Sequence, residues 1–158
     1  MKAAQKFALA LGVVYTLVGV LGFIPGLVSQ LEVADTAINQ YVAAAETGYL
    51  FGLLPVTNPL NVIHIATGLV SIAAAIALDS SRFISGQIGI YYSLFTVLGL
   101  LPFANTFFGL FPLYGYEVVF HGITGLLSIY FGFFGTPSLL KVLKQELRED
   151  AIAAEILS

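Results

Sequence analysis

The sequence has no cysteine and no tryptophan, and charged residues occupy only 9% of its 158 positions. The absence of cysteine excludes disulfides, thiolate nucleophiles and cysteine-ligated metal sites. Soluble domains carry about 25% charged residues, so this chain is poor in charge for a soluble globule. With only six lysine and arginine residues, it also lacks the basic surface that a nucleic-acid partner requires.

Apolar side chains are abundant instead. They make up 58% of the residues, and the mean hydropathy is +0.94. A soluble domain of this length has too much surface for its size to hide so many apolar groups. We therefore predict one integral membrane domain over residues 1–158, with the lipid bilayer as its first partner. Another membrane protein, or a second copy of the chain, is a further candidate partner.

Four long runs without charge divide the chain, at 7–31, 47–78, 83–116 and 118–140. Since a membrane helix needs about 20 apolar residues, each run can hold one span. Trimming the runs at turn residues predicts helices at 7–24, 60–78, 84–102 and 118–136. The expected fold is an all-α, four-transmembrane-helix bundle. Its spans contain no charged residue, which disfavours an ion-coupled transporter.

The charges also predict an orientation. With four spans, all six basic residues fall on one side, and the other side carries only the acids Glu32, Asp35, Glu46 and Glu117. An excess of lysine and arginine marks the cytoplasmic side of a membrane protein. Both the N- and the C-terminus of the chain are therefore expected in the cytoplasm.

Two segments outside the spans have helical patterns of their own. In the outer connection, 26–57, apolar residues recur at helical spacing between positions 27 and 45, which predicts an amphipathic helix on the membrane surface or capping the bundle. Residues 137–158 are predicted to form a charged cytoplasmic helix. This helix is either a solvated tail or a partner-binding segment.

An internal duplication runs through the chain. Residues 12–25 match residues 89–102 at 7 of 14 positions, and residues 51–72 match residues 108–129 at 11 of 22. The two offsets, 77 and 57, differ by the extra length of the first outer connection. We predict two helical hairpins, 7–78 with the insertion 26–57 and 84–136, in the same orientation.

The matched positions are mostly small or polar. Because lipid provides no hydrophobic drive for helices to associate, close approach through small residues must supply much of the packing. The resulting stripes leave little room for an aqueous pore. In helices 2 and 4 the matched residues are Thr67, Gly68 and Ser71 and Thr124, Gly125 and Ser128.

The two histidines, His64 and His121, occupy equivalent places in the duplication, with Asn61 one helical turn before the first and Glu117 one turn before the second. One hypothesis is a cofactor site, in which both imidazoles ligate haem b or hold another pigment. The other is structural, with each histidine hydrogen-bonded inside its own hairpin. Glu117 is either a proton-relay partner of His121 or an exposed cap at the start of its helix.

Motifs for other chemistry are missing, since the sequence has no phosphate-binding glycine loop, nucleophile elbow or His–Glu metal helix. No metal site and no catalytic residue is predicted. The sequence therefore favours a non-catalytic accessory or structural membrane protein without a cofactor. The alternatives are a bis-histidine haem or pigment binder and, second, a small transporter or channel.

A family resemblance rests on the loop Phe-Gly-Leu-x-Pro, the stretch from Asn58 to Gly68 that contains His64, and its echo His121-x-x-x-Gly125. In this combination the chain resembles the bacterial family called domain of unknown function four-three-eight-three. The resemblance covers nearly the whole chain. It implies a four-span protein of the bacterial inner membrane and no established activity.

Overall fold

The structure is a computed structural model that describes residues 1–30 and 47–156. Its helices are α1 (Ala3–Leu21), α2 (Asn58–Ala74), α3 (Leu78–Leu100), α4 (Tyr116–Ile129), which continues as a π-helical turn (Tyr130–Phe134), and α5 (Leu139–Ile156). The helices α1 to α4 form the body of the protein, with α1 packed along α2 and α3 along α4. The two helical hairpins formed in this way meet through contacts of α3 with α1 and α2.

The distribution of side chains is the reverse of that in a soluble domain. Large apolar residues such as Leu17, Leu94 and Leu126 are exposed on the outside of the helices, whereas His64 and Glu117 are fully buried. Among the described residues, three segments are long and apolar enough to cross a membrane, namely Ala3–Leu21, Leu78–Leu100 and Tyr116–Ile156, while α2 is apolar but shorter. An exposed apolar surface of this extent is that of a membrane-embedded protein.

Helix boundaries differ from the predicted ones at the turn between α2 and α3. The second helix ends at Ala74 rather than at 78, and the third begins at Leu78 rather than at 84. Asp79 lies in the first turn of α3, where an acidic side chain is favoured by the helix dipole, and its Oδ1 accepts a hydrogen bond from Leu139 N at 2.9 Å. The charged residues at this junction therefore belong to the helix and do not break it.

The fourth helix begins at Tyr116 rather than at 118, directly after Gly115, whose φ of 64° suits glycine. Glu117 consequently lies inside the helix. The prediction that the spans contain no charged residue is wrong at this position, because it depended on a helix that starts after the glutamate.

The end of the bundle where α1 leads into α2 contains a small sheet that the all-α prediction missed. It consists of β1 (Val28–Ser29), β2 (Gly48–Leu50) and β3 (Leu54–Val56), all antiparallel in the order β1-β2-β3. The predicted amphipathic helix at 27–45 lies mostly outside the described residues. Its described start is not helical beyond the 3-10 turn Pro25–Leu27, because the next residues pair with β2.

The two Phe-Gly loops at the outer side have the same backbone conformation. Phe51 and Gly52 have φ values of 53° and 72°, and Phe108 and Gly109 have φ values of 57° and 88°. A phenylalanine rarely adopts this left-handed region, so its occurrence at both matched positions is a specific likeness. Next to the second loop, burial together with the neighbouring Tyr49 of β2 raises the pKa of Tyr114.

Within each hairpin the helix backbones touch at the matched glycines. A Cβ added to Gly12 would lie 2.7 Å from the carbonyl oxygen of Gly68, and one added to Gly89 would lie 2.6 Å from the amide nitrogen of Ile129. Such distances leave no room for a side chain. The small residues therefore set the close approach of the helices, as expected for association in lipid.

Candidate functional site

Three polar side chains meet at the centre of the bundle, and all three are fully buried. They are His64 from α2 and Glu117 and His121 from α4. The Glu117 Oε1 atom lies 3.1 Å from His64 Nε2 and 3.1 Å from His121 Nε2. The two imidazole centroids are 5.9 Å apart. One carboxylate therefore joins histidines from both hairpins, and we call these three residues the His–Glu–His cluster.

The local sequence explains how each side chain of the cluster is positioned. Thr57 caps α2 by accepting a hydrogen bond from Leu60 N at 3.4 Å, and this start places His64 in the second turn. In α4, Glu117 and His121 are four residues apart, a spacing that brings their side chains onto one face. The cluster thus lies near the outer ends of both helices.

The polar atoms of the cluster have no hydrogen bonds of acceptable geometry among the described residues. This applies to both ring nitrogens of His64 and of His121 and to both carboxylate oxygens of Glu117. The contacts at 3.1 Å are short enough in distance, but the ring nitrogens do not direct an N–H along the line to the oxygen. One atom from each of the three residues lies within 4.8 Å of the other two.

Aromatic rings enclose the cluster. The Tyr15 ring stands edge-on to His64 at a centroid distance of 5.2 Å, and the Tyr92 ring lies 4.7 Å from that of His121. Phe95 lies 5.6 Å from His121 and Phe120 lies 6.1 Å from His64. These walls keep water and lipid away from the polar atoms.

Two hydrogen bonds connect the hairpins around this centre. Tyr15 donates its hydroxyl to Thr124 Oγ1 at 2.9 Å, and the hydroxyls of Tyr92 and Thr67 are 3.1 Å apart. Each tyrosine thus reaches the matched threonine of the other hairpin. The sequence analysis did not single out either tyrosine, although both are identical residues at matched positions, which was the available signal.

The other residues that the sequence singled out lie outside the cluster. Asn61 is buried and lines an outer cavity of about 360 Å³ together with Gly22. Ser71 donates to the carbonyl oxygen of Thr67 at 2.7 Å, and Ser128 is buried without a hydrogen bond among the described residues. The remaining two are packing positions, with Gly68 against Thr16 and Gly125 against Ser93.

The role expected for Glu117 changes most. An exposed cap is wrong because the side chain is fully buried, and pairing with His121 alone is incomplete because His64 lies at the same 3.1 Å distance. The structural hypothesis placed each histidine in the hydrogen bonds of its own hairpin. His121 does approach Glu117 of its own helix, whereas His64 approaches the same carboxylate from the other hairpin.

The arrangement restricts what the site can do. An ionised carboxylate inside a membrane protein needs a compensating positive charge. Here that charge can come from a proton on an imidazole or from a metal ion. An imidazole nitrogen accepts a proton, and two imidazoles with a carboxylate can coordinate a metal ion. A haem ligated by both imidazoles would need its ring where the Glu117 carboxylate now lies, close to both Nε2 atoms.

Comparison with known proteins identifies a family. No curated protein and no solved structure matches the chain. The family described as Domain of unknown function (DUF4383) matches residues 5–134, a range that includes α2, α3, α4 and all three residues of the cluster. Since this match covers most of the chain, the resemblance seen in the sequence is confirmed, and the chain belongs to the DUF4383 family.

Proposed function

We propose that this protein is a non-catalytic, four-span protein of the bacterial inner membrane that binds one small cation at the His–Glu–His cluster. The observation that carries the proposal is the position of Glu117, fully buried and 3.1 Å from two imidazole nitrogens. Both hairpins contribute to the cluster, so a bound cation would hold them together, which suits an accessory or structural role.

Charge balance supports a cation at this position. Removing an ion from water without compensation costs several kcal/mol. Around Glu117 the rings of Tyr15, Tyr92, Phe95 and Phe120 line the space about the two imidazoles. Among the described residues, the ion-pair contacts of Glu117 are with His64 and His121 and with no lysine or arginine, and Arg82 pairs instead with Asp79. The positive charge therefore belongs to the cluster itself.

Burial supports a binding role over catalysis. All three cluster side chains are fully buried, so a substrate would have no access to them without opening the bundle. The haem alternative is less favoured because the carboxylate lies between the imidazoles. A transport role would require separation of helices whose backbones touch at Gly12 and Gly89.

The four-span topology is part of this proposal. The matched glycine contacts and the matched Phe-Gly loops support two hairpins of the same orientation, and the basic residues favour cytoplasmic termini. The chain has no cysteine, so single cysteines report position cleanly. Leu53 in the connection before α2 and Ser80 at the start of α3 are both exposed, and they flank α2.

With four spans, Leu53→Cys should react in whole cells with a membrane-impermeant thiol reagent, and Ser80→Cys should react only after the membrane is opened. If α2 does not cross the membrane, both positions should react from outside. The reverse labelling pattern would invert the orientation.

Infrared spectroscopy tests whether Glu117 is ionised, as a bound cation of any kind requires. The difference spectrum between the wild-type protein and Glu117→Gln isolates the signal of this one carboxyl group. We expect the bands of an ionised carboxylate to be lost in the variant. Loss of a protonated carboxyl C=O band would instead show a neutral cluster and overturn the proposal. Glu146→Gln, in the exposed helix α5, is the matched control for a solvated carboxylate.

A further inference from the structure

We infer that the cation is a divalent first-row transition metal ion, held by His64 Nε2, His121 Nε2 and both oxygens of Glu117. This inference rests on the proposed function, since it names which cation the cluster binds. The metal joins the two hairpins, because the first hairpin supplies one ligand residue and the second supplies two.

The spacing of the donor atoms matches a shared metal ion. With bonds of about 2.0–2.1 Å to nitrogen and oxygen, the ligand atoms of a tetrahedral zinc ion lie about 3.3 Å apart. Glu117 Oε1 lies 3.1 Å from each imidazole Nε2, and one donor atom from each residue falls within 4.8 Å of the others. A small adjustment of side chains is enough to place one ion between them.

The hydrogen-bond geometry favours a metal over a shared proton. A proton held between imidazole and carboxylate needs an N–H directed at the oxygen, and neither Nε2 makes such a bond among the described residues. Both Glu117 oxygens are also without partners there. A metal ion uses all of these atoms at once, since a bidentate carboxylate and two imidazoles supply four donors.

The donor set selects the class of metal. Imidazole nitrogen suits zinc, iron, nickel and copper, whereas calcium and magnesium prefer sites made of oxygen atoms. The site has no sulfur ligand, which disfavours cuprous copper. Three protein residues at a zinc ion ordinarily leave a fourth position open to water. Aromatic walls close this site, so in the proposal the second oxygen of Glu117 fills that position.

The experiment uses the full chain, purified in a mild detergent and stripped of metal with a chelator. Zinc is added, free zinc is removed, and the bound metal is measured per chain together with the melting temperature. We expect one zinc per chain and a higher melting temperature in the loaded protein. Glu117→Gln should weaken zinc binding at least tenfold, and His64→Ala should do the same. Glu146→Gln should retain the zinc.

Cobalt loading of the wild-type protein gives a readout that does not depend on any variant folding. Four nitrogen and oxygen donors should give the intense visible absorption of four-coordinate cobalt, and zinc should displace it. Absence of stoichiometric zinc or of this spectrum overturns the metal inference, as does full zinc retention in both Glu117→Gln and His64→Ala.

The two proposals fail in different ways. If infrared spectroscopy shows an ionised Glu117 and the protein binds neither zinc nor cobalt, the cation is a proton, and only the metal inference is wrong. If Glu117 is a neutral acid in the metal-free and the zinc-treated protein, both proposals are wrong.

Discussion

The two hairpins share their backbone packing but differ at the residue that lies four positions before each histidine. The second hairpin has Glu117, and the matched residue of the first is Leu60, which is equally buried. The glycine contacts, the Phe-Gly loops and the tyrosine–threonine hydrogen bonds are all present in matched form. The comparison indicates that the matched positions build the bundle, whereas the one unmatched carboxylate forms the centre of the proposed cation site.

A second difference lies one position further along. Asn61 packs its side chain against Gly22, and Val118 packs against Gly99, the matched glycine of the second hairpin. The Asn61 Oδ1 atom has no hydrogen bond among the described residues. The amide is therefore not required for close packing at this point, since an apolar side chain fills the matched place.

Removing the unmatched carboxylate should have the largest effect. Glu117→Leu gives the second hairpin the residue of the first and leaves two imidazoles without their partner. We expect the free energy of unfolding in detergent to fall by about 3–5 kcal/mol, as when one member of a buried ion pair is removed. Adding Leu60→Glu to this variant should restore part of the loss. An unchanged unfolding transition in Glu117→Leu would contradict the role of the carboxylate.

The histidines should behave as one unit. Although they lie in separate hairpins, their ring centroids are 5.9 Å apart and both approach Glu117. In a double-mutant cycle of His64→Leu and His121→Leu, the double variant should cost less than the sum by at least about 0.5 kcal/mol. Additive costs would show that the histidines do not share a site.

The packing positions come next in size. A Cβ on Gly125 would lie 2.6 Å from Ser93 Oγ and 2.9 Å from Ser93 N, whereas a Cβ on Gly122 would lie no closer than 3.4 Å to Thr96. Gly125→Ala should therefore destabilise the protein by about 1–3 kcal/mol through overpacking. Gly122→Ala on the same helix should be neutral or stabilising, because alanine favours the helix. Equal melting temperatures for the two variants would contradict the packing.

The hydrogen bonds between the hairpins should contribute less. Tyr15→Phe and Tyr92→Phe each remove one hydroxyl that reaches the threonine of the other hairpin. Each should lower the free energy of unfolding by about 0.5–1.5 kcal/mol. Tyr91→Phe, at a partly exposed ring, should leave stability unchanged. A difference of several kcal/mol between the two tyrosines would break the equivalence of the hairpins.

The smallest effect is expected at Asn61. Asn61→Val places the residue of the second hairpin in the first, beside Gly22 instead of Gly99. Because no hydrogen bond of Oδ1 is lost, the free energy of unfolding should stay within about 0.5 kcal/mol of the wild type. A large loss, measured by thermal unfolding, would show that the amide has a partner of its own.

The sequence predicted the parts of the fold that depend on composition and on local pattern. The apolar helices followed from hydropathy, and the family followed from the motifs around the matched residues. The contact between Glu117 and His64 could not be predicted in the same way, because it joins two helices from different hairpins, and helical spacing relates Glu117 only to His121.

The outer sheet was missed for a different reason. Its strands contain two or three residues each, too few for an alternating pattern to stand out. The start of α4 was misplaced because charge was used to end the spans. A glutamate that is buried against two histidines is the case in which that rule fails.

X-ray absorption at the zinc edge of the loaded protein tests the central claim most directly, because it reports the atoms around the ion. The account predicts a four-coordinate shell with two imidazole nitrogens and carboxylate oxygen at about 2.0–2.1 Å. The imidazole scattering should be lost in the double variant His64→Leu, His121→Leu. A shell of water oxygens alone, or one that the double variant leaves unchanged, would contradict the account.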